Sequence, residues 1–437
     1  MGIYYPIAER DQDIGLKLDS DGKSYGKVLL ITATVIVWLF MLISFKYYGY
    51  EKTWQLWKVP TIMPPFLDFR LIPGSAESFR NGFEPTLKNP GDPAGRIFNY
   101  PAFWRIFFYS GITQDDTIWI SILMIVLFFI GVFLFPDKLQ TSGAIAMLLV
   151  VFSPASMLLY ERGNADLIVF FICVLIVLAS GYSANLTAVL LMIGAVVKLF
   201  PFFGVSILLR ESKPKFLWLF GGCFIFLVTY MLITIDSVKA SWNLTMRGDG
   251  LSYGTNILIT RYGDSISKIL TQWFSDSTVQ LLLRYGPLAA GLALIFVVFI
   301  FAIRSQISPE ILSERNLAAF RMGASIYVGT FLLGNNWDYR LAFLVLVVPQ
   351  LMFWLGASEN RYRVLAGLGI GTALLSCWYL IISSYLDFFE SSDKFWLIFD
   401  EGFNWLLFAI LAYLLFASLP DWVKTQFQIL LPKKNPA

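Results

Sequence analysis

The sequence predicts an all-α, polytopic membrane protein, a single bundle of about twelve crossing helices, and three observations lead there. Of its 437 residues, 57% are hydrophobic and only 14% are charged, with a mean hydropathy of +0.66; soluble domains carry roughly 25% charged residues. Apolar runs recur from end to end, many near the roughly 17–25 residues that a bilayer crossing needs. Two long insertions, 49–116 and 236–284, stand out among otherwise short connections.

Taken in order, residues 1–27 form a polar tail of mixed charge. The run at 28–48 has no small-residue cleavage site clearly after it and reads as a retained anchor. The first long insertion follows, and then runs near 117–135, 142–159 and 166–181. Those at 185–199 and 201–210 are too short for two ordinary crossings, with Lys198 and Pro201 between them. They read as a pair of short helices meeting at one surface, which a protein-lined cavity tolerates. A run at 216–235 precedes the second insertion, whose stretch Ser265–Phe274 is amphipathic and suits a helix lying on the membrane surface. Runs near 285–303, 317–333, 341–357, 364–385 and 403–419 complete the chain, with no convincing internal repeat.

Short loops carrying Lys138, then Arg210, Lys213 and Lys215, then Arg304 and Arg315, then Arg361 and Arg363 alternate with loops poorer in cations. Lys424, Lys433 and Lys434 add to the first set. The positive-inside rule makes that set cytoplasmic. With twelve crossings, both termini are then cytoplasmic and both long insertions face outward. The expected organisation is a cytoplasmic tail, 1–27, and one transmembrane domain, 28–437.

Composition also excludes chemistry. There is no histidine, so neither an imidazole base nor a His-ligated metal is available. Cys173, Cys223 and Cys377 all lie in apolar runs and read as small core residues. A net charge of +3 gives no reason to expect nucleic acid. No paired acidic motif asks for a metal, and no cofactor is expected.

The unusual polar groups fall on the outer side: Asp68 and Arg70; Glu161-Arg162-Gly163-Asn164-Ala165-Asp166; Lys198; Arg247, Asp249 and Arg261; and Asn335-Asn336-Trp337-Asp338-Tyr339-Arg340. Ionisable groups near membrane depth are costly and usually mark a site. The runs at 166–181, 201–210 and 341–357 descend from that side, so their N-termini offer a seat for an anion, with Arg162, Lys198 and Arg340 beside them. Each group also has an ordinary structural use. Asn164 or Asp166 can cap the next helix, Lys198 can snorkel to the interface, and Asp338 can pair with Arg340. The outward-facing Asn243-Leu244-Thr245 sequon is too common to identify a source.

In order and sidedness these motifs resemble the integral-membrane glycosyltransferases of the GT-C superfamily. Asp68-Phe69-Arg70, Gly82-Phe83-Glu84-Pro85 and Asn99-Tyr100-Pro101 resemble their first outer loop. Arg162-Gly163-Asn164-Ala165-Asp166 before an apolar helix, followed by Ala195-Val196-Val197-Lys198-Leu199-Phe200-Pro201, is most similar to glycosyltransferase family 87, the polyprenol-phosphate-mannose-dependent mannosyltransferases. The resemblance spans roughly residues 28–357. It implies a GT-C-like bundle in which Asp68 is the catalytic base, with Asp92 and Glu84 as alternative carboxylates. The chain departs from the family's pattern in having Gly-Asn-Ala-Asp where relatives often have Gly-Gln-x-Asn.

By that resemblance the donor is a hexose or pentose, such as mannose, on a polyprenyl phosphate. The acceptor is a lipid or glycan at the outer face, and the setting is cell-envelope glycan biosynthesis in a bacterial inner membrane. Asp68 takes the acceptor's proton and the anomeric centre inverts. Arg70, Tyr100, Arg162, Asn164, Asp166, Lys198, Arg261, Asp338 and Arg340 are the candidate substrate-binding residues, within a protein that contacts membrane lipids throughout. Two rivals remain: a secondary transporter or flippase of lipid-linked sugars, and an O-antigen ligase or polymerase-like enzyme using a lipid diphosphate donor.

Overall fold

The computed structural model describes residues 25–244, 248, 250–305, 309–386 and 392–428. The first 24 residues of the tail, Arg247, Asp249, Thr245 of the sequon, Lys433 and Lys434 lie outside them.

The chain enters α1 (Tyr25–Tyr48) and the short α2 (Tyr50–Gln55) packed against it. The first long loop holds α3 (Leu67–Arg80) and the 3-10 segments Ala102–Tyr109 and Gln114–Asp116. Next come α4 (Thr117–Leu134), α5 (Thr141–Val151), α6 (Pro154–Arg162), α7 (Asp166–Ser180), α8 (Ala184–Val197) and the 3-10 segment Phe200–Arg210. α9 (Lys213–Ile233) leads into α10 (Ile235–Leu244), strand β1 (Ser252–Tyr253) and α11 (Ile257–Leu270). After α12 (Asp276–Arg304) and α13 (Glu314–Leu332) come strand β2 (Asn336–Trp337) and the 3-10 segment Asp338–Leu346. α14 (Val348–Leu355), α15 (Asn360–Leu386), α16 (Ser392–Ala417) and α17 (Asp421–Gln428) finish the chain.

Six of these helices, α1, α4, α9, α12, α15 and α16, are long and apolar enough to cross a membrane. The 24 residues of α1 extend about 36 Å, against a hydrocarbon core of about 30 Å. Two further spans are broken. α5 and α6 meet at 52°, and the 3-10 segment Asp338–Leu346 meets α14 at 60°, which raises the number to eight if each pair is one span. The single run expected at 142–159 is therefore two helices. Ser153 starts the second by accepting a hydrogen bond from the Ser156 amide (3.3 Å), with Pro154 at the first helical position, where its missing N–H costs nothing. α7, α8 and Phe200–Arg210 are apolar but shorter; the 15 residues of α7 extend about 22 Å. The expected pair of short helices on either side of Lys198 is present.

α7 is buried along most of its length against α4, α8 and α13, as an apolar helix with no polar stripe must be. α13 is enclosed in turn by α16 and the 3-10 segments Phe200–Arg210 and Asp338–Leu346. The two long loops meet at one end of this core. β1 pairs antiparallel with β2, Ser252 opposite Trp337 and Tyr253 opposite Asn336. Asn99 of the first loop donates to the Leu244 carbonyl at the entry to the second (3.5 Å), and Trp104 donates to the Val197 carbonyl just before Lys198 (2.9 Å). The ends of α3, α6, α7 and α8 thus come within reach of Asn335–Arg340.

Candidate active site

Backbone geometry brings the first loop to the α6–α7 turn. Gly163 ends α6 in the left-handed conformation (φ 56°), the usual way for glycine to stop a helix. A side chain there would also collide, since a Cβ would stand 2.8 Å from Ser121 Oγ and 2.9 Å from Phe66 Cβ. Phe66 is itself left-handed (φ 59°) and immediately precedes α3. For a bulky residue that conformation costs about 1–3 kcal/mol, and its packing on Gly163 holds it. Asp68, in the first turn of α3, then faces the α6–α7 turn with its side chain 24% exposed.

Asn164 is the hub. Its Nδ2 donates to Asp68 Oδ2 (2.7 Å) and to the Tyr339 hydroxyl (3.2 Å). Its Oδ1 accepts from the Asp166 amide (3.0 Å) and from Lys198 Nζ (3.1 Å). The capping use expected of Asn164 is thus real, and it occupies only one of four bonds. Lys198 sits in extended backbone between α8 and the next segment, which turns its ammonium inward to donate to Asp166 Oδ1 as well. Arg340 Nε donates to Asp166 Oδ2 (3.2 Å), and its Nη1 donates to Asn336 Oδ1. The expected Asp338–Arg340 pair does not form, because Arg340 is bonded to Asp166.

One fully buried carboxylate, Asp166, therefore stands at the N-terminus of α7 between two cations, where the helix dipole also favours negative charge. Lys198 lies over the Tyr100 ring (5.6 Å) and Arg340 over the Phe200 ring (5.0 Å), contacts that favour a desolvated cation. Burial, together with the nearby Asp68 and Asp166 carboxylates, holds the Tyr100 hydroxyl above its ordinary pKa, so it acts as a neutral wall. The Asp166–Lys198–Arg340 group keeps a net charge of plus one. A guanidinium has five N–H donors, and the Nε and Nη1 bonds described above use two of those on Arg340. Arg340 also lines a cavity of about 230 Å³ bounded by Pro101, Leu199, Tyr230, Trp242 and Asn336.

Four sequence candidates lie outside this group. Arg162 donates to Glu161 Oε2 (2.7 Å) and to the Pro60 carbonyl (3.2 Å). It fastens α6 to the approach to α3, whereas Asn164, two residues on, takes the Asp68 contact. Arg70 donates to the Pro65 carbonyl (2.8 Å) and to Gln114 (3.0 Å), bracing both ends of the first loop. Arg261 is exposed on α11, on the side of Gly250. Asp338 is buried, and its Oδ1 has no hydrogen-bond partner among the described residues.

The alternative carboxylates are also committed. Glu84 pairs with Arg105 (3.1 Å). Burial disfavours its charged form, but the Thr86 hydrogen bond and Arg105 outweigh that and hold its pKa below the usual carboxylate value. Asp92 is fully buried and bound twice by Arg96, through Nη2 to Oδ1 (2.9 Å) and Nε to Oδ2 (3.1 Å). Arg96, which sequence reasoning missed, also reaches Asp68 Oδ1 (3.4 Å) and the Leu67 carbonyl (2.5 Å). Its only signal in the sequence is its spacing of four from Asp92. Among the described residues, no group of three or more His, Cys, Asp or Glu side chains could hold a metal ion. No protein-family model, curated protein or solved structure matches the chain.

Proposed function

We propose that the protein is an inverting membrane glycosyltransferase that moves a sugar from a polyprenyl-phosphate donor to a lipid or glycan acceptor at the outer face, with Asp68 as general base. One observation carries the reading. A partly exposed carboxylate, Asp68, is joined through Asn164 to Lys198 and through Asp166 to Arg340, two part-buried cations, and Arg340 opens onto a largely apolar cavity. A base on one side and a cationic seat on the other are the two parts that displacement from a lipid phosphate needs.

In this reaction the acceptor oxygen bonds to the anomeric carbon as its proton passes to Asp68. The bond from that carbon to the phosphate oxygen breaks, and its electron pair stays with the lipid phosphate. The leaving phosphate gains a full negative charge. The unused N–H groups of Arg340, with Lys198 behind them, bind that product-like charge more strongly than the ground state, which lowers the barrier. Beside the six long helices and two broken spans, this reading takes the three shorter apolar helices and α13 as further crossings, about twelve in all in a GT-C-like arrangement. The basic short loops then orient both termini to the cytoplasm.

Transport of a lipid-linked sugar is the second reading. It draws on Asp338, Asp400 and Glu401, buried acids with oxygens unpartnered among the described residues, the type of group found in proton-coupled carriers. The test is transfer of radiolabelled mannose, glucose or arabinose from polyprenyl phosphate in membranes containing the parent or Asp68→Asn. Loss of a positioned base costs roughly 10²–10⁴-fold, so the variant should fall to background. Full turnover in Asp68→Asn removes Asp68 as the base, and no transfer by the parent from any of these donors overturns the enzyme reading.

A further inference from the structure

Asp68 has a neighbour that ought to disable it. A guanidinium beside a carboxylate favours the charged form and, when the pair is tight, withdraws that carboxylate from proton transfer. Arg96 stands 3.4 Å from Asp68, yet it is already spoken for. Its Nε and Nη2 both engage Asp92, at 3.1 and 2.9 Å, in the forked geometry that makes arginine–carboxylate pairs strong. Asp92 Oδ2 also accepts from the Arg96 and Ala94 amides (2.8 and 3.2 Å), so its charge is fixed in place by backbone and side chain together. Burial works against the Arg96 cation, but the Asp92 hydrogen bonds and charge outweigh it and hold its pKa above the ordinary value.

The arrangement depends on a close approach. A Cβ on Gly74 would stand 2.6 Å from the Gly91 carbonyl oxygen, so only glycine lets α3 lie against the Asn89–Arg96 turn. Asn89 holds the turn from the other side, donating to Ser75 Oγ (3.0 Å) and to the Arg96 carbonyl (2.8 Å).

Resting on Asp68 as the base, we propose that Asp92 is a positioning residue: it takes up the charge of Arg96, so that Arg96 steadies one oxygen of Asp68 without locking the carboxylate into a full ion pair. Asn164 fixes the other oxygen, so the carboxylate is oriented from both sides. The other titratable groups facing Asp68 are Tyr100 in the first loop, Glu161 on α6, Lys198 after α8 and Tyr339 in the 3-10 segment. Of these, Tyr100 also feels the Arg96 charge, which holds its hydroxyl lower than burial alone would.

The test is the pH–rate profile of sugar transfer for Asp92→Asn, Arg96→Gln and the double variant, each first shown by its thermal midpoint to be folded. In Asp92→Asn the full charge of Arg96 falls on Asp68, so the acid limb moves to lower pH and turnover on the plateau drops roughly ten- to hundred-fold, part of what a general base contributes. In Arg96→Gln the acid limb moves the opposite way. The double variant lies nearer the parent than Asp92→Asn does. A loss of turnover with an unmoved acid limb, or a double variant worse than both singles, makes the clamp merely structural and overturns the proposal. Full turnover in Asp68→Asn would instead sink the base assignment itself, which separates the two failures.

Discussion

Two buried polar regions lie two residues apart on one short segment and are built by opposite rules. Arg340 points into the group of Asp166, Lys198 and Asn164, where the single carboxylate has a cation on each oxygen and the amide of Asn164 uses both its ends. Asp338 points elsewhere. Its electrostatic neighbours include Asp400 and Glu401 of α16, and Asp338 Oδ1, Asp400 Oδ1 and both Glu401 oxygens lack a hydrogen-bond partner among the described residues. Matched charges in fixed positions suit a site that must bind the same anion on every turnover. Unmatched acids add cost without that preorganisation. The difference favours the first region as the seat of chemistry and makes the second the natural place to look for a competing function.

The largest effect should come from breaking the matched region. Arg340→Gln leaves Asp166, whose side chain has no solvent exposure, with one cation instead of two. Losing a hydrogen bond between charged groups while Lys198 stays paired costs about 1.5–3 kcal/mol, to be read as a lower midpoint in thermal or denaturant unfolding of the detergent-solubilised protein. Donor turnover should fall along with it. Unchanged unfolding would mean that the Asp166–Arg340 contact is not part of the folded core.

Gly163→Ala tests the next level, the approach that joins the first loop to this region. Alanine must adopt φ 56° with its methyl against Phe66 and Ser121, so the loop shifts outward. The strain is worth about 1–3 kcal/mol. The informative result is a larger fractional loss of turnover than Ala155→Gly, a change of similar size in the same buried helix, produces at equal loss of stability.

Much of this was legible in the sequence, and the part that was not has a physical cause. The long apolar helices, both insertions and the short pair around Lys198 follow from hydropathy alone. Asp68, Asn164, Asp166, Lys198, Tyr100 and Arg340 do come together, because each stands at a helix end or in a loop on one side. Side-chain direction was not legible. Arg162 and Asn164 are two residues apart across a left-handed glycine, and only the backbone decides which of them meets Asp68. Arg96 was missed because it lies in a Pro- and Gly-rich turn without periodicity, brought to Asp68 by the Gly74–Gly91 approach. The break at Ser153-Pro154 was readable as a helix start, but the apolar run across it hid the signal.

The smallest effect separates the two regions most cleanly. Glu401→Gln keeps the shape of a buried side chain and removes an ionisable group whose two oxygens have no hydrogen-bond partner among the described residues, so stability read from the unfolding midpoint should hold or rise by about 1 kcal/mol. Sugar transfer should be unchanged, since Glu401 belongs to α16 and makes no bond to Asp68, Asn164, Lys198 or Arg340 in the structure. The opposite outcome is equally sharp. If Glu401→Gln abolishes proton-driven movement of a lipid-linked sugar across vesicles while Asp68→Asn does not, then the unmatched acids carry the function and the matched cluster is a structural brace.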